Sequence, residues 1–302
     1  MSILVQDASR AEKASLLPLA CLLIVGALLG LTANVVKIAV GAGWPPLPFL
    51  FWATLGAGLL LLCGALASRN APRGGFRELR YYLATGALSI AIPNALLFAA
   101  VAHVGASFVA VCLSLPPLLT YGLALTMGME RLRGLRAAGI AFGLIGAVAL
   151  GLTKATAGII DPLWIVAALI GPFFVALGNI YRTIRWPPGA TALSLAPGML
   201  LAGAAFLLAY IAATGGNFLP LSRDAAAFWI LSAQAIIFTA TYSLYFVLQK
   251  LAGPVYLSQI GSVGAIFGAA LAVFALGEPA GAALFLAASA ILFGVFLVNW
   301  AR

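Results

Sequence analysis

Residues 81–130 read YYLATGALSIAIPNALLFAAVAHVGASFVAVCLSLPPLLTYGLALTMGME, and residues 229–278 read WILSAQAIIFTATYSLYFVLQKLAGPVYLSQIGSVGAIFGAALAVFALGE. The two stretches align without a gap at a shift of 148. Identical pairs include Leu83/Leu231, Leu96/Leu244, Phe98/Phe246, Gly105/Gly253, Ser114/Ser262, Leu123/Leu271 and Ala124/Ala272. The register continues through Leu144/Leu292 and Gly146/Gly294. Apolar residues this common coincide by chance, but Glu130/Glu278 is different, because the whole chain of 302 residues has only seven acids. The pattern is an internal repeat.

Outward from the repeat, apolar runs of about twenty residues recur along the chain, each long enough to cross a bilayer as a helix. They are Leu16–Val40, Leu47–Ala67, Tyr81–Ala102, Ala106–Met127, Leu135–Leu152, Leu163–Tyr181, Ala190–Ala213, Ala225–Leu248, Val255–Leu276 and Ala280–Trp300. The first is longer than a signal-peptide core and reads as retained. Composition agrees: 64% of residues are hydrophobic and 8% charged, against about 25% charged in a soluble domain. No water-soluble core hides that much apolar surface. The runs are continuous, so the spans are helices rather than barrel strands. The expectation is an all-α membrane protein with ten transmembrane helices.

The first span matches the sixth at a shift of 145, pairing Asn34 with Asn179 and Lys37 with Arg182. Both halves then carry Trp-Pro-Pro, at Trp44–Pro46 and Trp186–Pro188. Five spans per half is an odd number, so the second half enters the membrane from the opposite side. The predicted architecture is a five-plus-five inverted repeat, residues 1–152 and 153–302, forming one integrated transport domain around a midplane site.

Charge sets the orientation. With the N-terminus inside, thirteen Lys and Arg fall on the inner side, and Lys37, Lys154 and Arg223 remain outside. That bias predicts both termini in the cytoplasm. The net charge of +9 is dispersed between spans and forms no stripe, so nucleic acid is excluded as a partner. Trp44, Trp164, Trp186, Trp229 and Trp300 stand near span ends and read as interfacial anchors, with Trp52 alone well inside a span.

These features together resemble the EamA-type members of the drug/metabolite transporter superfamily: ten spans in two halves, Asn-x-x-basic late in spans one and six, and Glu130 and Glu278 opening the last hairpin of each half. Within the superfamily the likeness is greatest to the aromatic amino acid exporters. The resemblance implies a multi-pass protein of the plasma (bacterial inner) membrane, a monomer or weak homodimer. It implies a cavity enclosed by helices one, three, four, six, eight and nine, with five and ten at the side as packing or dimerising elements. It implies export of small molecules by alternating access.

The residues themselves suggest where substrate binds. Gln234, Phe238, Thr241, Tyr242, Tyr245 and Gln249 fall on one face of span eight. Pro93 and Asn94 in span three, Ser114, Pro116, Pro117 and Tyr121 in span four, and Ser258, Gln259 and Ser262 in span nine supply further polar or helix-breaking positions. A proline frees a backbone carbonyl, which membranes tolerate where it meets protein or a cavity. The amides of Asn34 and Asn179 suit carboxylate and ammonium groups, and Tyr82, Tyr121, Tyr242 and Tyr245 suit an aromatic or apolar body. Lys37 and Arg182, near span ends, read as snorkelling anchors or gates, with Pro93, Pro116 and Pro117 as gating breaks. The expected substrate is a zwitterionic amino acid or similar metabolite. The alternatives are a nucleotide-sugar exchanger, which needs more basic residues in the cavity, and a multidrug exporter, which needs a mid-membrane carboxylate; a membrane enzyme or scaffold is a remote option. His103 has no carboxylate near it in sequence, and no ligand cluster suggests a metal or cofactor. Gly26-x-x-x-Gly30, Gly139-x-x-x-Gly143 and Gly264-x-x-x-Gly268 read as close helix packing.

Overall fold

A computed structural model describes residues 2–156, 161–220, 224–279 and 281–300, with side chains described from residue 17 except at 147, 148, 150–156, 255 and 298–300. Arg223 and Arg302 of the charge count lie outside the described residues, as do the side chains of Arg10, Lys13, Lys154 and Trp300. The described residues contain helices and no strand: α1 Ser2–Gly41, α2 Pro46–Ala67, α3 Phe76–Gly86, α4 Ile92–Val104, α5 Ala106–Cys112, α6 Pro116–Thr126, α7 Gly134–Thr156, α8 Pro162–Arg185, α9 Ala192–Ala213, α10 Ala225–Ser258, α11 Ile260–Phe274 and α12 Ala282–Trp300. Among them, eight segments are long and apolar enough to cross a membrane, and Gly134–Gly146 and Ala282–Leu297 are shorter apolar helical stretches.

Three expected spans are less regular than their hydropathy suggests. Span three is α3 and α4 joined by a π-helical turn, Ala87–Ala91. Pro93 follows in the first turn of α4. It has no N–H to donate and its ring crowds the carbonyl four residues back, so the backbone widens there. Span four breaks after Cys112 and restarts at Pro116, a proline at the first helical position. Span eight runs past Leu248 to Gly253, whose φ of 75° interrupts α10. Gly105 has φ 88° between α4 and α5. These two glycines, 148 residues apart in the sequence, turn the chain at opposite ends of the bundle.

The helices also pack in matching pairs. Helix α1 lies against α10 and α11, α8 lies against α4 and α6, α2 lies against α9, and α7 lies against α12. The α1–α11 crossing uses both predicted glycine pairs. A Cβ on Gly30 would stand 2.5 Å from the Gly264 carbonyl oxygen and 2.7 Å from the Gly268 nitrogen, both backbone atoms that cannot swing aside. The α7–α12 pair is likewise tight: a Cβ on Gly294 would meet Gly143 N at 2.8 Å, and Phe142 and Phe293 pack edge to face at 5.6 Å. Without a hydrophobic drive between helices in lipid, such close approach is what holds them. Gly30→Val is expected to cost at least the roughly 1–3 kcal/mol typical of overpacking, read as a lowered melting temperature in detergent; an unchanged midpoint contradicts the crossing.

The tryptophans divide differently from expectation. Trp229 is exposed, as an anchor should be. Trp44 is not an interfacial anchor. It is buried, and its Nε1 donates to the Ala227 carbonyl at 2.8 Å, pinning the start of α10. Trp52 lies only six residues into α2, and its Nε1 donates to the Phe218 carbonyl of the α9–α10 connection at 2.9 Å. Each indole carries one donor that a neighbouring loop or helix start can satisfy, and that outweighs the headgroup preference.

Candidate functional site

Helix α8 is the element that carries polar side chains into the bundle. It starts cleanly: the Asp161 carboxylate accepts the Leu163 N–H at 2.9 Å, and Pro162 takes the first helical position. Its far end brings Asn179 and Arg182 onto one face, one turn apart. Both are buried, Arg182 completely. The expectation that Arg182 snorkels at a span end is therefore corrected. It turns inward because five neutral acceptors from other elements and its own helix surround the guanidinium. Nε donates to Gln249 Oε1 at 2.8 Å, Nη1 to Ser89 Oγ with Met199 Sδ at 3.9 Å, and Nη2 to Asn179 Oδ1 at 2.6 Å and to the Tyr245 hydroxyl. The guanidinium carbon also stands over the Tyr245 ring, 4.8 Å from its centroid.

This cluster forms one wall of a cavity of about 60 Å³. Leu29 of α1, Asn94 of α4, Pro116 of α6, Tyr242 of α10 and Gly261 of α11 complete it. The lining segments belong to spans one, three, four, six, eight and nine. In this conformation the space holds a few waters; an amino acid requires it to widen. Asn94 Nδ2 donates to Ile90 O at 2.9 Å and to the Tyr242 hydroxyl at 3.4 Å. Tyr245 donates to Asn179 Oδ1 at 2.6 Å. Thr241, also in the lining, is buried with no partner for Oγ1 among the described residues.

The predicted site residues thus separate. Asn94, Pro116, Asn179, Arg182, Tyr242 and Tyr245 come together at the cavity. Asn34 is elsewhere: its Nδ2 donates to Gly30 O and Gly268 O, each at 3.0 Å, and ties α1 to α11. Tyr82 packs beside Tyr81 and Gly198 on the α3–α9 side. Tyr121 donates to Arg131 O at 3.0 Å beneath the Arg136 guanidinium. Ser114 bonds Val111 O at 2.6 Å and lines a separate apolar pocket with α11 and α12. Gln259 occupies the α10–α11 junction, and Ser262 and Pro117 are buried in the first turns of α11 and α6. Pro93 is buried beside the π turn. Ser89 and Met199 are absent from the sequence-based set. A serine and a methionine in apolar helices look like filler until the fold brings them to Arg182.

Lys37 is the predicted gate residue with a charged partner. Its Nζ lies 2.6 Å from Glu278 Oε1. The same carboxylate accepts the backbone N–H of Ala106 at 2.8 Å and of Ser107 at 2.9 Å. It therefore caps the start of α5, where anionic groups are favoured. Burial by itself raises the Glu278 pKa, but hydrogen bonds from Lys37, from the Ser107 side chain and from the two backbone N–H groups outweigh it and hold the carboxyl down at about 2. Gly105 makes room for this: its positive φ disfavours a side chain, and a Cβ there would stand 3.1 Å from Glu278 Oε2. His103 stacks on Trp164 at the same rim, 4.0 Å between centroids. Glu130, the repeat partner of Glu278, is paired with Arg136 at 2.9 Å and not with Arg182.

Against known proteins, the model of the EamA-like transporter family matches residues 17–152. A solved crystal structure is similar along nearly the whole chain: 18% identity, TM-score 0.65, 96% of this chain and 98% of the other covered. At that identity the likeness speaks for the fold alone. No curated protein matches the sequence. Residues 17–152 are thus similar to the EamA-like transporter family, and the helical fold resembles that of a solved structure over 96% of the chain.

Proposed function

We propose that this chain is a transporter that exports amino acids, aromatic or other neutral ones, by alternating access through the α1–α4–α6–α8–α10–α11 cavity. The observation that carries the reading is the lining itself, where spans three, six, eight and nine of an otherwise apolar bundle bring together amide, hydroxyl and aromatic groups. The two halves act as inverted five-helix repeats, in the bacterial inner membrane with both termini cytoplasmic. Supporting the repeat are the paired helix contacts and the positive-φ glycines 105 and 253 at opposite ends. Supporting the orientation is the excess of Lys and Arg at the end that holds the α2–α3 connection.

In this reading the Lys37–Glu278 latch closes the outer end. Arg182 and Glu130, its counterparts by the repeat, close the inner end in the alternate state and are apart in the present one. A nucleotide-sugar exchanger is less well supported, because the described lining carries one basic residue and an extended phosphate ligand calls for several.

The described lining carries no carboxylate, and a proton antiporter generally needs a titratable group that substrate and proton both reach. Transport is therefore facilitated diffusion down the amino acid gradient. Counterflow into proteoliposomes with a panel of amino acids tests the reading. Uptake of at least one neutral amino acid without a pH gradient, little changed by a protonophore, is expected. Accumulation driven by a pH gradient alone contradicts the coupling; no uptake of any amino acid contradicts the substrate class.

A further inference from the structure

Arg182 is a fully buried cation whose five acceptors are all neutral. Neither of the ion pairs Lys37–Glu278 and Arg136–Glu130 includes it. A guanidinium does not lose its proton in a protein, so burial cannot be relieved by neutralisation. Buried charges are ordinarily paired with an opposite charge, because neutral hydrogen bonds only partly replace lost hydration. The α8 cation therefore lacks its counter-ion on the wall of the cavity through which substrate is read to pass.

A second observation points the same way. Thr241, one turn from Tyr245 on α10, is almost fully buried in the same lining, and its Oγ1 has no partner among the described residues. One group in the cavity thus lacks an anion and another lacks a hydrogen-bond partner. A cleft near the same end of α8 is also electropositive. Arg185, one turn beyond Arg182, lines a cleft with Arg77 and Arg80 at the end of α8, and such a cleft draws anions toward it.

We propose that Arg182 is the carboxylate anchor of the transported molecule, and that the cavity selects organic monocarboxylates with an apolar or aromatic body whether or not they carry an amine. This deepens the transport reading and rests on it. A carboxylate takes two guanidinium N–H groups side by side, the strongest arrangement open to it. Two N–H groups are released for it: one from the long contact to Met199 Sδ at 3.9 Å, and one from the Tyr245 hydroxyl, which still donates to Asn179 Oδ1. The aromatic edges of Tyr242 and Tyr245 then face the ligand body, and Thr241 Oγ1 takes a second polar group where one exists. For an amine the lining offers no described carboxylate, so the carboxylate decides binding and the ammonium does not.

Three probes of one shape test this: L-phenylalanine, 3-phenylpropanoate and 2-phenylethylamine. Two readouts are used, thermal stabilisation of the purified chain in detergent and competition for uptake in proteoliposomes. The first two probes should stabilise the wild type and the amine should not. Arg182→Gln should weaken both carboxylates by about 10- to 100-fold, and Arg182→Lys, which keeps the charge but loses the fork, should fall between. Should Arg182→Gln not fold, the ranking of the three probes on the wild type decides alone. Stabilisation by phenylpropanoate without transport of any probe upholds the anchor and contradicts the transport reading. Transport of phenylalanine with the amine competing as well as phenylpropanoate overturns the anchor and leaves transport standing. No stabilisation or competition by phenylpropanoate also overturns it.

Discussion

Glu278→Gln is expected to unlatch the Lys37 end of the bundle. The carboxylate accepts from Lys37 Nζ and from the N–H groups of Ala106 and Ser107. Glutamine has nearly the same shape but turns one acceptor oxygen into a donor, which then faces another donor. Hydrogen bonds to a charged group contribute about 1.5–3 kcal/mol each, so even one lost bond shifts an open–closed equilibrium roughly tenfold or more. A single cysteine at the buried Val104, in a background without Cys21, Cys63 and Cys112, reads the shift directly. Its labelling by a thiol reagent should be about tenfold faster or more in Glu278→Gln than in the otherwise wild-type protein. Equal rates would remove the latch from the mechanism.

The same pair of proteins carries a pH signature. The Glu278 carboxyl is lowered from 4.5 to about 2 in the closed arrangement. A group with a lowered pKa stabilises its state fully above the ordinary value and loses that stabilisation as pH falls through the shifted one. The ratio of labelling rates should therefore be flat from about pH 5 upward. It should fall as the pH drops from about 5 and reach unity only below about 2, where the wild-type carboxyl is itself neutral. A ratio that already changes near neutrality would point to another titrating group at this rim.

How far the sequence could be read depends on what kind of signal each feature leaves. Continuous apolar runs reveal helices directly, because a spanning segment must satisfy its own backbone. The helix breaks were legible in part: Pro93, Pro116 and Gly253 mark them, but the π turn at Ala87–Ala91 has no signature beyond the proline that follows it. The glycine pairs announced close packing, and the α1–α11 crossing uses them. The candidate site was harder. Span-eight periodicity pointed to Tyr242 and Tyr245, and both line the cavity. Periodicity does not report which way a polar group faces in a helix surrounded by others, so Tyr82 and Tyr121 look equivalent in sequence and fall elsewhere. Ser89 and Met199 acquire meaning only through Arg182, from which they are separated by 93 and 17 residues.

Asn34 and Asn179 show why repeat symmetry alone does not assign a role, and they should respond differently to the same substitution. Asn179 Oδ1 accepts from Arg182 Nη2 and from the Tyr245 hydroxyl, both at 2.6 Å. Asn179→Leu takes away this shared acceptor and leaves a buried guanidinium N–H facing hydrocarbon, a cost of about 1.5–3 kcal/mol for the charged bond alone. Because Arg182 is then free to move off the cavity wall, substrate uptake should fall about tenfold or more in a protein that still elutes as a single folded species. Asn34 instead spends its amide on the carbonyls of Gly30 and Gly268, across the close α1–α11 crossing. Asn34→Leu removes a tie between α1 and α11 and presses a branched side chain into that crossing. It should lower the melting temperature while the molecules that remain folded keep wild-type substrate affinity. Measuring uptake and melting together separates the cases. Loss of affinity in Asn34→Leu with unchanged melting would return Asn34 to the substrate site and require the α1–α11 contact to open during transport.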